Sequence, residues 1–473
     1  MSNYLYRFRS GRRLVGTSTE PGELENLQIY FASSTELNDP LEGHKEYFWQ
    51  GDEVLWWNFL SHYVRCLMDV CLHYYTIDSD VLDVEFELKS YVSFTLYPNE
   101  MTDEGLLLSK KIEGVLSESK QIKQYIQCLS GQRKIGEWEL LTHLRTIHTL
   151  VVVTIFDCML AEGCMDSPPI PYTKDGLSDV CGMIDRVISS YAFADDDSNQ
   201  EFYLLEVVRT SLRNLQSHHL GWDKGIYFLY YEFPELFIEG IKHSTHPKWY
   251  AACFMEDCSN SSIWGTYGDY HKGICLKYRV PTDEEGNKKM NLNMVGGMGE
   301  KGFIRCQRDI RFYKVNYGQD FVGIDFFHAL GKLTAPCVEK HWLTGQDGRR
   351  TNRAIDYSKE EWRRRYWEDY VNSITMKSVD WQCEREHRLM FVDGVSSYSD
   401  KELRYAYYDF NCLEGIIFGI RTPISEKVKV ISIVESLCKK HNRDSFNFYQ
   451  AVYSPKSKAV EHLLMDVNLN INK

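Results

Sequence analysis

The chain has 473 residues, 43% hydrophobic and 26% charged, a balance that lets a globular protein bury a sizeable core. That length accommodates two or three domains or one enlarged domain. The formal net charge of -13 argues against a protein that coats nucleic acid through its whole-surface field.

Residues 1–51 read as short strands and turns. Tyr4-Leu5-Tyr6-Arg7-Phe8 alternates, with Arg7 on the face opposite Tyr4, Tyr6 and Phe8. The first residues lack the apolar core of a signal peptide. Leu27 to Ser33 is a second strand. Asn38-Asp39-Pro40 then marks a turn, because Asn and Asp bond their own backbone and Pro fixes φ.

Across residues 52–245 glycine and proline thin out and a 3.6-residue period takes over. Val54, Trp57, Leu60, Val64, Leu67 and Cys71 form one stripe. Leu106 to Leu129, Trp138 to Leu160, Leu177 to Ile188 and Phe202 to Leu215 continue the pattern. It predicts five or six helices in a subdomain inserted into the rest of the chain. The apolar run Leu150 to Phe156 is far shorter than the roughly 20 residues of a membrane span and reads as a buried helix. The 14 cysteines show no paired zinc-site spacing and read as reduced thiols, so a soluble cytoplasmic protein with no membrane partner is expected.

From residue 246 to 473 the strand pattern returns. Trp249 to Phe254, Ile263 to Gly268, Gly273 to Val280 and Ile310 to Tyr317 belong to it. Met294 to Gly299 is glycine-rich but lacks the Lys-Ser/Thr of a phosphate loop, and reads as a flexible loop. Helices are expected at 320–333 and 358–377. Arg349, Arg350, Arg353 and Arg363 to Arg365 read as a solvated, salt-bridged surface rather than a nucleic-acid site. Leu413 to Gly419 and Phe446 to Tyr453 are late strands, and Val428 to Ile433 is a strand or the start of a helix. The fold class is therefore α+β. A mixed, mainly antiparallel β core is built from residues 1–51 and 246–473, with the helical insert between them.

Trp381-Gln382-Cys383-Glu384-Arg385-Glu386-His387-Arg388 precedes the apolar run Leu389 to Val392. On a strand, Glu384, Glu386 and Arg388 share one face. That face meets either solvent, as a ladder of weak surface pairs, or a ligand.

Four blocks carry a family resemblance. Tyr4 to Arg7 with Leu27 to Glu42 resembles the opening of the bacterial family named domain of unknown function 2971. Cys253-Phe254, Ile263 to Tyr267 and His271 to Leu276 resemble its central motif, which usually has Ser where Met255 stands and Ser-His where Gly265-Thr266 stand. Lys377, Trp381, Glu384, Glu386 and Arg388 resemble its late motif, and Gly415 to Gly419 its penultimate strand. At a further remove the layout resembles the ADP-ribosyltransferase fold, with an Arg on the first strand, an aromatic group in the middle and Glu-x-Glu late. The resemblance implies an enzyme that uses NAD as substrate, without a metal, and transfers ADP-ribose or cleaves NAD. Such an enzyme would be an effector of a bacterial anti-phage or toxin defence system, acting on a protein or nucleic-acid acceptor. In that scheme Glu386 is the ribose-side carboxylate and Glu384 the acceptor-side base. Arg7 anchors phosphate or ribose, Tyr267 stacks on nicotinamide, and Arg388 holds the carboxylates or binds phosphate. The alternative is a non-catalytic ligand- or protein-binding module in a defence complex. Under either reading the helical insert could mediate partner binding or self-association.

Overall fold

The computed structural model describes every residue but 1–2, 18–21, 78–82, 132, 171, 192–198, 221–222, 301, 319–320, 395–397 and 470–473. The chain is α+β and divides into two compact units. One comprises Met1–His44, Pro247–Phe321 and Val371–Lys473, the other Lys45–His246 and Val322–Tyr370. Residues 322–370, assigned from the sequence to the C-terminal part of the β core, thus group with the helices.

Among the described residues of the first unit, twelve strands form one sheet. They are β1 (Tyr4–Arg9), β2 (Gln28–Tyr30), β3 (Ala32–Ser33), β4 (Trp249–Met255), β5 (Ile274–Arg279), β6 (Lys289–Gly299), β7 (Gly302–Lys314), β8 (Glu386–Val392), β9 (Tyr405–Tyr408), β10 (Leu413–Phe418), β11 (Asn447–Ser454) and β12 (Ala459–Met465). Their order is β12-β11-β10-β5-β1-β4-β8-β7-β6-β9-β2, with β3 pairing β4. The β10–β11 pair is parallel, joined through the helix Ile424–Lys440, as a parallel pair needs a crossover. Val430, Val434 and Leu437 of that helix are buried against one face of the sheet with Leu5, Phe254, Leu276 and Leu389. On the other face Phe8, Met255, Trp264, Cys275 and Ile417 form a smaller core.

Several local expectations are corrected. Met294 to Gly299 is not a loop but the end of β6, paired with β7 in a long hairpin. Small residues there accommodate a register shift between Val295 and Gly297. Ser261–Thr266 is a helix rather than a strand, because Asn260 caps it by accepting from the Ser262 amide at 2.8 Å. Residues 320–333 hold the strand Gly323–Asp325 and the 3-10 turn Phe326–His328 instead of an α-helix. Glu360–Ile374 is the expected helix. Val428 to Ile433 lies within a helix.

The second unit is helical around one large apolar core. Glu53–Thr76 buries the stripe read from the sequence, including Val64, Leu67 and Cys71. Glu137–Ala161 carries Leu150 to Phe156 into the same core. By length and composition this helix could cross a membrane, yet 72% of its apolar window is buried within the protein. Five of the arginines between 349 and 365 meet carboxylates: Arg349, Arg350, Arg353, Arg363 and Arg365. Arg349 pairs with Asp347 at 2.5 Å, Arg350 with Glu339 at 2.7 Å and Arg353 with Asp325 at 3.1 Å.

Candidate functional site

The sheet is open at one seam. β1 pairs with β5 from Tyr4 to Arg9, and β4 pairs with β8 along its whole length. Between β1 and β4 the register contains only Tyr6 opposite Met255. A cavity of about 240 Å³ is lined by both strands at this seam, by the segment Glu36 to Asn38, and by Glu42, Tyr267, Lys377, Glu384 and Glu386. Met255 faces both Tyr6 and Glu386, so those three share a sheet face, while Arg7 lies on the other with Phe254. Arg7 nevertheless reaches the cavity wall.

The loop from Ser33 to Glu42 builds one side. Glu36 closes a 3-10 turn by accepting from the Ser33 amide at 3.0 Å, and Arg404 holds that carboxylate at 2.8 Å. Asp39 accepts from the Leu41 amide at 3.0 Å, an Asx turn of the kind the Asn-Asp-Pro sequence encodes. The loop delivers two side chains. Asn38 donates to the Tyr267 hydroxyl at 2.7 Å, and Glu42 turns inward.

The other side comes from residues 375–388. Tyr317 and Lys377 stand opposite each other in a short parallel pair, and the Glu386 amide donates to the Tyr317 hydroxyl at 2.9 Å. A 3-10 helix then spans Val379–Glu384, and Arg385 takes a left-handed φ of 45° before β8 begins at Glu386. Glu384 therefore does not lie on the strand, as the alternation of the sequence suggested. The tight turn brings it to the same lysine as Glu386.

Lys377 is the hub. Its ammonium lies 2.8 Å from Glu384, 3.1 Å from Glu42 and 3.4 Å from Glu386, and 4.7 Å above the Trp381 ring. Arg388 is the second cation. It is completely buried, donates to both oxygens of Glu386 at 2.8 and 3.2 Å and to the Ile374 carbonyl at 2.8 Å, and lies 2.6 Å from Glu42. It is not part of the cavity wall. Of the two roles the sequence allowed it, the one the geometry serves is holding the carboxylates.

Burial and pairing separate the two acids. Burial raises the Glu386 pKa, but Arg388 and Lys377 outweigh it and bring it to about 2. Burial raises Glu384 as well, and Lys377 and the Tyr267 hydroxyl, which donates to it, offset only part of that rise. Glu42 is raised by burial despite Arg388 and Lys377. Glu386 is thus held ionised, while Glu384 and Glu42 are the groups inclined to take a proton. Burial also pushes the Tyr267 hydroxyl up, with Glu384 adding to it, and the Cys253 thiol beside Glu386 is held protonated mainly by its own burial.

Arg7 is the remaining piece. It is 4% exposed, its Nη2 donates to the Tyr30 carbonyl at 3.0 Å, and its carbon Cζ sits 5.3 Å from the centre of the Phe254 ring. Its Nε and Nη1 are buried without a hydrogen-bond partner. A buried guanidinium with open donors on a cavity wall has the chemistry to receive an anion.

Four residues singled out from the sequence, Arg7, Tyr267, Glu384 and Glu386, thus line one cavity, and Arg388 stands outside its wall. Tyr267 packs against the small core that contains Trp264 and Met255, and its hydroxyl is the part committed to the site. Tyr317 received no role from the sequence, Asn38 only a place in a turn and a motif, and Glu42 and Lys377 only a place in a motif. No family model matches the chain, and neither a curated protein nor a solved structure is detectably similar to it.

Proposed function

We propose that the cavity at the β1–β4 seam binds NAD and that the protein cleaves it at the nicotinamide–ribose bond, either to water or by transfer of ADP-ribose to an acceptor. The observation that carries this reading is that Arg7, Tyr267, Glu384 and Glu386 all line one cavity. Cleavage builds positive charge on the ribose, and a carboxylate held ionised beside it lowers that barrier. Glu386 suits this part. The acceptor must lose a proton, and a carboxylate whose pKa is raised suits that part. Glu384 answers to it. The open Nε and Nη1 of Arg7 supply donors for phosphate oxygens. Service as an effector in bacterial defence belongs to the same proposal.

A second reading has its own observation. Both oxygens of Glu386 are already engaged by Arg388 and Lys377, which suits a rigid, non-catalytic binding pocket in a larger complex. Incubating the purified protein with NAD labelled in the adenylate, alone and with cell lysate, separates the two. Nicotinamide release or label transfer that is lost in Glu384→Gln and Glu386→Gln supports the enzyme. Binding without turnover favours the pocket, and neither binding nor turnover removes the NAD reading.

A further inference from the structure

The helical unit has a cavity of its own. It holds about 570 Å³, more than twice the volume at the β1–β4 seam, and every residue on its wall belongs to that unit. The short parallel pair of Glu46–Trp49 with Gly323–Asp325 sets Phe48 beside Asp325. Arg353 donates through Nη2 to Asp325 Oδ2 at 3.1 Å, and His328 Nδ1 lies 3.1 Å from the same oxygen. The His328 carbonyl accepts from the Trp362 indole at 3.0 Å. The Trp362 ring stacks on Tyr366, which stacks in turn on His246. These contacts tie the strand pair, the loop at Arg353 and the helix Glu360–Ile374 into one wall.

Two polar groups on this wall are incompletely used. The Arg353 side chain is 16% exposed, where those of Arg349 and Arg350 are more than half exposed. Asp325 occupies its Nη2, while its Nη1 has no hydrogen-bond partner. His246 is 6% exposed, and neither ring nitrogen is in hydrogen-bond geometry with a protein group. Burial and the nearby Lys45 keep that imidazole neutral, against a weaker pull from the Tyr366 backbone, so one nitrogen donates and the other accepts. The remaining charges are engaged or offset. Asp356 accepts from the Ser358 amide at 3.0 Å, Asp369 lies 3.8 Å from Arg365, and Lys134 lies 4.8 Å over the Phe48 ring. Lys359 and Glu361 stand exposed at the rim with opposite charge.

An open guanidinium N–H is met best by an anionic oxygen, and a neutral imidazole by a ring edge that carries donors and acceptors. Phe48 and Trp362 give the same cavity an aromatic wall, and its volume suits a small organic ligand. We infer that this cavity is a second ligand site, for a small molecule that joins a phosphate to a nucleobase, with a phosphate oxygen on Arg353 and the base among Phe48, Trp362 and His246. The inference concerns the helical unit and does not rest on the NAD reading.

The probe is adenosine monophosphate, titrated calorimetrically into the full-length protein beside its two halves, adenosine and inorganic phosphate. The nucleotide is expected to bind at least about tenfold more tightly than either half, since only it meets both the guanidinium and the aromatic wall. Arg353→Gln is expected to weaken the nucleotide at least about tenfold, the scale of a charge-assisted hydrogen bond, and to change adenosine by less than about twofold. Because the nucleotide is also half of NAD, Arg7→Gln is the control and is expected to leave this binding intact. No nucleotide binding tighter than about 1 mM, or undiminished binding in folded Arg353→Gln, overturns the inference. Binding lost in Arg7→Gln and kept in Arg353→Gln also overturns it, while supporting the seam as the nucleotide site. Binding lost in Arg353→Gln without NAD turnover leaves the inference standing and counts against the NAD reading alone. Should Arg353→Gln not fold, hydrogen exchange of the wild type with the nucleotide decides. Slowed exchange in residues 323–328 and 353–362 supports the site, and protection confined to β1 and β4 overturns it.

Discussion

Replacing Arg388 by Met removes one of the two cations that hold the site together. In the folded protein its guanidinium is fully buried and faces Glu386 and Glu42 at 2.6 to 3.2 Å. With charge centres about 4 Å apart and an effective dielectric of about 20, each attraction is roughly 4 kcal/mol. Much of that gross sum is cancelled by the desolvation of the ions themselves. What the substitution adds is a stranded partner, since Glu386 keeps only Lys377, itself shared with Glu42 and Glu384. Breaking a buried pair from one side costs about 3–5 kcal/mol. Because the chain has two units, a single global unfolding curve mixes them, and a local readout is needed. Native-state hydrogen exchange of β4 and β8 supplies it, and an opening free energy lower by about 4 kcal/mol speeds exchange roughly a thousandfold. Adding Glu386→Gln to Arg388→Met should recover part of the loss, since it removes the stranded charge. An acceleration below about tenfold in Arg388→Met, roughly 1.4 kcal/mol, would refute the claim that this cluster is a desolvated network.

Other outcomes follow from the same geometry. Glu386 has a folded-state pKa of about 2 against an ordinary value of 4.5, so its contribution of about 3 kcal/mol is present above pH ~4.5 and is lost as pH falls toward 2; Glu386→Gln should remove it at neutral pH, read by hydrogen exchange of β4 and β8. Glu384 is shifted the other way, so Glu384→Gln should be neutral or stabilising at pH ~7, and a loss as large as that of Glu386→Gln would contradict its assignment as the proton-accepting acid. In the helical unit, burial holds His62 at about 3 and His148 at about 4. Their unfolded forms protonate below pH ~6.5, so this unit should lose stability as pH drops from there, and hydrogen exchange of the helices Glu53–Thr76 and Glu137–Ala161 at pH ~7 and ~5 would reveal it. A Cβ on Gly419 would stand 2.3 Å from the His271 carbonyl oxygen, a backbone atom with little room to move, so Gly419→Ala should cost about 1–3 kcal/mol in the opening free energy read by hydrogen exchange of β5 and β10.

Much of the fold was legible in the sequence because burial imposes a period. The stripe from Val54 to Cys71 has no stable place except a helix with one face in a core. The alternation in Tyr4 to Phe8 and in Gly273 to Val280 likewise suits strands with unlike faces. Where local chemistry competes with the period, the reading slipped. An Asn cap turned the segment around Ile263 into a helix, and long cross-strand pairing made a hairpin of the glycine-rich run before Gly299.

The Trp381 to Arg388 stretch by itself identified two acids and an arginine close in the chain, and the family resemblance joined them to Arg7. It did not distinguish a surface ladder from a buried site, since the same spacing serves both. Only tertiary structure decided that. Lys377 arrives through a two-residue parallel pair, Glu42 through an Asx turn more than three hundred residues away in the chain, and Arg7 across an open seam of the sheet. Charge compensation in a buried cluster depends on which ions are brought together in space. The order of residues along the chain carries no term for it.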